Sequence, residues 1–412
     1  MSKSTYDLMC CGCGATYGAA HAGACAACGE PLSIRALASP SRGVFEDAPA
    51  SMWHYADLLP IEDAGAAVSI GEGATPLVAA PRLAGNFGFG ELLLKNEMAN
   101  PTGSFKDRQV SVGLSHAREI GADTVAVVSS GNVACAASAY AARAGLRAVL
   151  LMHGHAAASK VALAAVYGGR AVQVQTPSAS EAFDLCLEAC DALGWYHLST
   201  AGMHNPFNVE GAKTIAYELF AQTRGDLPDW VVAPVGGGGL LGGIWRGFLD
   251  LQRLGLIERI PRLAGVQASG CAPLKKAIDE GTAYLDTLRE PWPNPKTIAG
   301  GIADDILFDG HTVLPAIRRT DGVAIAVDDD AIIEGQRALA VNEGLLCEPT
   351  SAVVVAALAD LAREARGARV CCIVTGNGAK DLAAVQAHVP PPAVIEPTLD
   401  ALKAAVDTGG KS

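Results

Sequence analysis

The chain has 412 residues, half of them hydrophobic, with 31 Lys and Arg against 43 Asp and Glu and a formal net charge of −12. A chain of this size and apolar content buries a sizeable core, which excludes disorder and the small disulfide-stapled class. The acidic balance has the wrong sign for tracking nucleic-acid phosphates, and no run of about 18 apolar residues offers a membrane span.

Residues Met1 to Asp7 lack the apolar core of a secretory signal, so the expected address is the cytoplasm. Two knuckles follow, Cys10-x-x-Cys13-Gly14 and Cys25-x-x-Cys28-Gly29, with eleven residues between them. Each offers two thiolates at a tight turn. Cys10, Cys13, Cys25 and Cys28 are therefore candidate ligands of a structural zinc ion in a ribbon-like segment over residues 1–35, with Cys11 the spare. A metal-free relic of such a ribbon is the alternative. The other seven cysteines lie in apolar segments, where a free thiol packs as a small hydrophobe.

From about residue 90 the pattern becomes regular. Helices are expected over 105–119, 132–145, 159–168, 180–193, 207–224, 240–254, 330–343 and 350–365. Between them lie short apolar runs: Val125–Val128, Ala148–Met152, Ala171–Val174, Val231–Val235, Ala264–Gln267 and Val370–Val374. Continuous apolar strands alternating with helices predict an α/β fold with parallel sheets covered on both faces, and the length predicts more than one sheet. The proline-rich run from Pro390 breaks helix, leaving residues 391–412 as a peripheral tail.

Four segments carry chemistry. In Asn100-Pro-Thr-Gly-Ser-Phe-Lys106 a fixed turn leads into a helix opened by Phe105 and Lys106. The positive end of a helix dipole favours a neutral amine over an ammonium, which suits a lysine that condenses with an aldehyde. Ser129-Ser130-Gly131-Asn132 lies between an expected strand and helix. Its hydroxyls and amides suit a substrate carboxylate, and Asn132 can donate to a phenolate-like oxygen. The run Val231–Val235 leads into Gly236, Gly237, Gly238 and Gly239 and then a helix, so converging N–H groups predict a phosphate site. Gly237-x-Gly239-x-x-Gly242 also fits the dinucleotide fingerprint. That reading requires an acidic residue ending the next strand, whereas Glu258 falls in a charged connection before it. Thr375-Gly-Asn-Gly378 ends another apolar strand, where a hydroxyl suits a ring nitrogen without stabilising its protonated form.

Together with Trp53-His-Tyr-Ala-Asp-Leu-Leu-Pro60, Gly71-Glu-Gly-Ala-Thr-Pro-Leu77 and Glu343-Gly-Leu-Leu-Cys-Glu-Pro-Thr-Ser-Ala352, these segments span about residues 50 to 390. They resemble the pyridoxal-phosphate enzymes of the tryptophan synthase β-like fold (fold type II), and most closely the threonine synthases, some of which also carry the paired CxxC head. The resemblance implies pyridoxal 5'-phosphate as cofactor and Lys106 as the catalytic, Schiff-base lysine. It implies Gly236 to Gly239 as the phosphate cup, Asn132 at the ring hydroxyl and Thr375 at the ring nitrogen. Ser129, Ser130, Gly131 and Asn132 would then meet the substrate carboxylate. Also implied are a large cofactor-binding domain over 36–95 and 206–390, a small α/β domain over 96–205, an amino-acid substrate and a homodimer. The implied reaction removes phosphate from the γ carbon of O-phosphohomoserine and adds water to give threonine.

Two departures bear on that reaction. Threonine synthases usually have Ser-Thr-Gly-Asn-Thr-Ala-Ala-Ser where this chain has Ser129-Ser-Gly-Asn-Val-Ala-Cys-Ala136. Val133 and Ala136 thus replace hydroxyls expected to face a substrate phosphate, a loss of roughly 1 kcal/mol each. The segment Thr297-Ile-Ala-Gly-Gly-Ile-Ala303 looks more like that of threonine or serine dehydratases. The alternatives are a dehydratase-like β-elimination, a β-replacement as in cysteate synthase-like relatives, or a cofactor-binding protein without turnover, which the intact Lys106 disfavours. His153-x-His155 lacks nearby acids and reads as solvated or capping rather than metal-ligating. Asp328 to Asp330 read as a helix cap, Glu343 as helix-terminal, Glu348 as lining the cofactor and Cys135 as a helix-packing thiol.

Overall fold

Three sheets organise the chain in a computed structural model, which describes residues 5–18, 24–46, 49–152, 158–176, 179–381, 389 and 391–407. His153 and His155 lie outside the described residues. The largest sheet has six strands in the order Val323–Val327, Arg262–Ala268, Trp230–Pro234, Arg369–Val374, Glu91–Asn96 and Leu77–Ala79. Every pair is parallel except the last. All five residues of Trp230–Pro234 are buried, because successive side chains enter opposite covered faces. Val231, Ala233, Cys371 and Ile373 join one apolar cluster, while Val232, Val370, Cys372 and Val374 join the other.

A second parallel sheet orders Arg170–Gln173, Arg147–Met152, Thr124–Val128 and Tyr196–His197. A third, antiparallel and three-stranded, places Tyr6–Cys10 between Thr16–Tyr17 and Leu32–Ala36. The parallel α/β fold therefore matches the sequence reading. Two expected helices differ in detail. Residues 350–365 form Pro349–Ala356 and Leu358–Ala365, and the region 207–224 opens with the 3-10 turn Asn208–Ala212 before Lys213–Gln222. Sequence periodicity does not mark Gly310–Arg319, a helix with Pro315 inside it, nor the tail helix Leu399–Asp407. Residues 391–406 are mostly exposed.

Asp328 caps the helix Asp329–Glu343 by accepting from Ala331 N at 2.7 Å, and Glu343 is the last residue of that helix. All seven scattered cysteines are free and buried. No helix among the described residues is long and apolar enough to cross a membrane.

Strand order is what assembles the site. Trp230–Pro234, Arg369–Val374 and Glu91–Asn96 are consecutive neighbours running in one direction. Their C-terminal ends therefore deliver the glycine bend, Thr375 and the lysine loop to one edge, although these lie more than a hundred residues apart in sequence.

Candidate active site

Lys106 is the first residue of the helix Lys106–Glu119. Its loop is stapled to the neighbouring strand end: Phe105 N donates to Thr375 O at 3.0 Å and Asn377 N donates to Gly103 O at 3.0 Å. The buried Asp107 carboxylate accepts from Thr102 N at 2.6 Å and from the Thr102 hydroxyl. Burial pushes the Asp107 carboxyl up to about 7. One residue further on, the buried Arg108 donates to Glu97 Oε2 at 2.7 Å and to Glu218 Oε1 at 2.6 Å. Lys95 reaches the same Glu218 at 2.6 Å. Two cations and two carboxylates thus cancel inside the protein and clamp the first turn of the lysine helix.

The Lys106 amine lies 3.1 Å from Gln109 Oε1, 3.5 Å from Thr200 Oγ1 and 4.6 Å from the Phe105 ring centre. Burial draws its ammonium down to about 8, against the upward pull of Asp304, Asp309 and Glu348.

The glycine run forms a bend at the start of the helix Gly239–Arg253, with Gly238 at φ +107°. A side chain at Gly238 would be strained in that backbone and would meet Val313 at 2.9 Å. A cavity of about 470 Å3 is walled by Lys106, by all four glycines Gly236 to Gly239 and by Thr375. The amine and the bend therefore face one space large enough for a small aromatic ligand.

Two further observations bear on a phosphorylated pyridine aldehyde. Thr375 is 1% exposed and its Oγ1 has no hydrogen-bond partner, although it lies on the cavity wall. Asn132 Oδ1 is likewise buried without a partner, while Asn132 Nδ2 donates to Glu348 Oε1 at 2.6 Å. Polar atoms left unpaired in the interior are costly, and a ring heteroatom in the cavity would satisfy the Thr375 hydroxyl on its wall, whereas the Asn132 oxygen lies off that wall.

Ser129, Ser130, Gly131 and Asn132 follow a strand of the other sheet and are not among the wall residues of this cavity. Asn132 bonds Glu348, which is expected from the sequence to line the cofactor but is likewise off that wall, and whose other oxygen accepts from Lys160 Nζ at 3.1 Å. Ala136 is buried in the apolar core of the small sheet, so a hydroxyl there would face packing neighbours and not a substrate. Val133 is half-buried against the same core. Cys135 is buried with Sγ 3.3 Å from Lys160 O, a packing thiol as read from the sequence.

The sequence reading missed Asp304 and Asp309. Both wall the cavity, with Asp184 and Asp305, and Lys106 is the one Lys or Arg on that wall among the described residues. Asp309 is 2% exposed, accepts from Gly202 N at 2.7 Å and is pushed up to about 7 by burial. The signal was present in Ile302-Ala-Asp-Asp305, which overlaps the end of the segment read as dehydratase-like.

At the N-terminus, the four thiols of Cys10, Cys13, Cys25 and Cys28 all lie within 4.8 Å of one another. Cys10 and Cys28 sulfurs are 3.4 Å apart and those of Cys13 and Cys25 3.6 Å. Thiolates tetrahedrally bound at a zinc–sulfur distance of about 2.3 Å are about 3.8 Å apart, so the donor set suits such an ion. Cys11 stands aside, 3.1 Å from Ser33 Oγ.

Comparison with known proteins agrees with this chemistry. The family described as pyridoxal-phosphate dependent enzyme matches residues 68–376. A threonine synthase of Methanocaldococcus jannaschii is 37% identical over 356 residues, covering 85% of this chain and 86% of that one. The threonine synthase of Methanosarcina acetivorans is 35% identical over 410 residues, covering 97% and 98%. Among solved structures, a threonine deaminase from T.th. is similar with a TM-score of 0.62 at 28% identity, over 74% of this chain and 92% of that chain.

Proposed function

The chain belongs to the pyridoxal-phosphate dependent enzymes and, within them, to the threonine synthase family, and from that premise we propose that Lys106 is its catalytic lysine. The protein is a pyridoxal-phosphate dependent lyase of the threonine synthase kind. The observation that carries the residue assignment is the single cavity shared by the Lys106 amine and the glycine bend.

When bound, pyridoxal phosphate supplies an electron sink for negative charge at the substrate's α carbon. Gly236 to Gly239 would hold its phosphate through backbone N–H groups backed by a helix N-terminus. The Thr375 hydroxyl would meet the ring nitrogen and Asn132 the ring hydroxyl. Burial draws the Lys106 ammonium below its ordinary value, to about 8, which suits an amine that would accept the α proton as a general base. Ser129 to Gly131 lie off the wall, directly after its residues Val127 and Val128, and would orient the substrate carboxylate from there.

The leaving group follows from the family: phosphate on the γ carbon of O-phosphohomoserine, replaced by water at the β carbon. One observation favours a second reading. Asp184, Asp304, Asp305 and Asp309 share the cavity wall, and a substrate phosphate dianion is repelled there whereas a β-hydroxyl is not. O-Phosphohomoserine, threonine and serine assayed side by side separate the two. Phosphate and threonine from the first substrate support the synthase reading. Keto acid from the hydroxy amino acids, with no threonine formed, supports β-elimination and overturns the synthase reading.

We also assign zinc to Cys10, Cys13, Cys25 and Cys28. Purified protein is expected to hold one zinc per chain, and Cys25→Ser to lose at least about tenfold in zinc affinity. Equal zinc content in the two, measured by elemental analysis, would refute the assignment.

A further inference from the structure

The glycine bend already binds an anion belonging to the chain itself. Gly237 N donates to Asp304 Oδ2 at 2.7 Å, and a methyl group on Gly236 would sit 2.5 Å from the same oxygen. That carboxylate thus takes up the Gly237 N–H and lies against Gly236. The backbone around it is fixed from three sides. Cys271 Sγ donates to Asp304 O at 3.1 Å, Trp292 N to Asp305 O at 2.7 Å, and Gly301 N to Thr350 Oγ1 at 3.0 Å. Only the side chain is left free to leave.

Burial pushes the Asp304 carboxyl up, with Lys106 and Gly237 N pulling it down and Asp305 adding to the rise. Entry of a phosphate dianion adds negative charge beside Asp304, and one N–H proton cannot serve both oxyanions at full strength. We propose that Asp304 is an internal competitor for the phosphate cup, whose side chain is displaced when the cofactor's phosphate enters. Asp304 then sets cofactor affinity rather than taking part in proton transfer. This rests on the cofactor reading above and adds to it a residue that opposes loading.

The test compares pyridoxal phosphate with pyridoxal, which keeps the aldehyde but lacks the phosphate. Cofactor-free wild type, Asp304→Ala, Asp304→Asn and Asp305→Asn are titrated with each compound, following visible absorbance. Asp304→Ala is expected to bind pyridoxal phosphate about tenfold or more tightly than wild type, as expected for removal of one charged competitor. Asp304→Asn, which still offers an acceptor to Gly237 N, gains less. Affinity for pyridoxal stays within about twofold throughout. Unchanged or weaker phosphate-form binding in Asp304→Ala overturns the proposal. So does equal tightening for pyridoxal, or equal tightening in Asp305→Asn, which removes the same charge one residue away. Failure of wild type to bind either compound overturns the cofactor assignment and this inference with it.

Discussion

Replacing Lys106 with alanine is expected to abolish the visible absorption band of the lysine-bound cofactor and to lower turnover by roughly 10^4-fold. Two roles are lost together, attachment of the aldehyde and transfer of the α proton. The site offers no second amine: Lys106 is the one lysine on the cavity wall among the described residues. Lys160 and Lys380 point elsewhere, Lys160 to Glu348 at 3.1 Å and Lys380 to the Thr102 carbonyl at 2.9 Å. Phosphate binding at the glycine bend does not depend on the amine, so the variant should still take up the cofactor, weakly. An absorbance spectrum and single-turnover assay check this, and a Lys106→Ala protein with the wild-type spectrum would remove Lys106 from the mechanism.

The second large effect lies beside the lysine helix and concerns stability. Glu218 accepts from both Arg108 and Lys95, and all three side chains are fully buried. Glu218→Ala leaves two buried cations with Glu97 alone, which is expected to cost about 3–5 kcal/mol of unfolding free energy. Burial by itself raises the Glu218 carboxyl, but Arg108 and Lys95 hold it down to about 2 from an ordinary value of 4.5. A depressed carboxyl pKa contributes stability that is complete above the ordinary value and is lost as pH falls towards the depressed one. Wild type should therefore lose stability between about pH 4.5 and pH 2 more steeply than Glu218→Ala. Urea unfolding at pH 7 and across that acid range reads both effects. A variant as stable as wild type at pH 7 would show the clamp to be dispensable.

The parts of this protein that sequence made plain are those in which one local feature decides the outcome. Alternating apolar strands and helices imply the parallel sheets, and four glycines ahead of a helix mark an anion bend by themselves. Lys106 was legible because its loop and the bend imply each other chemically. The buried cluster of Arg108, Lys95, Glu97 and Glu218 was not, since Glu218 comes from a helix more than a hundred residues further along the chain, 110 from Arg108 and 123 from Lys95. Asp304 and Asp309 escaped for the same reason. A short acidic run reads as a solvated turn until the glycine bend is seen to lie against it. Ala136 shows the opposite failure: helix position suggested an outward-facing site residue, whereas packing places it in the core.

On the proposed reading, the loaded protein carries one bond between the Lys106 nitrogen and the cofactor's aldehyde carbon, with the cofactor's phosphate at the glycine bend that shares the Lys106 cavity. Borohydride reduction of the loaded protein, followed by peptide mapping, reads that bond directly. The expected result is a phosphopyridoxyl group on the peptide containing Lys106 and on no other lysine. A label on a different lysine, or none at all, would contradict the assignment.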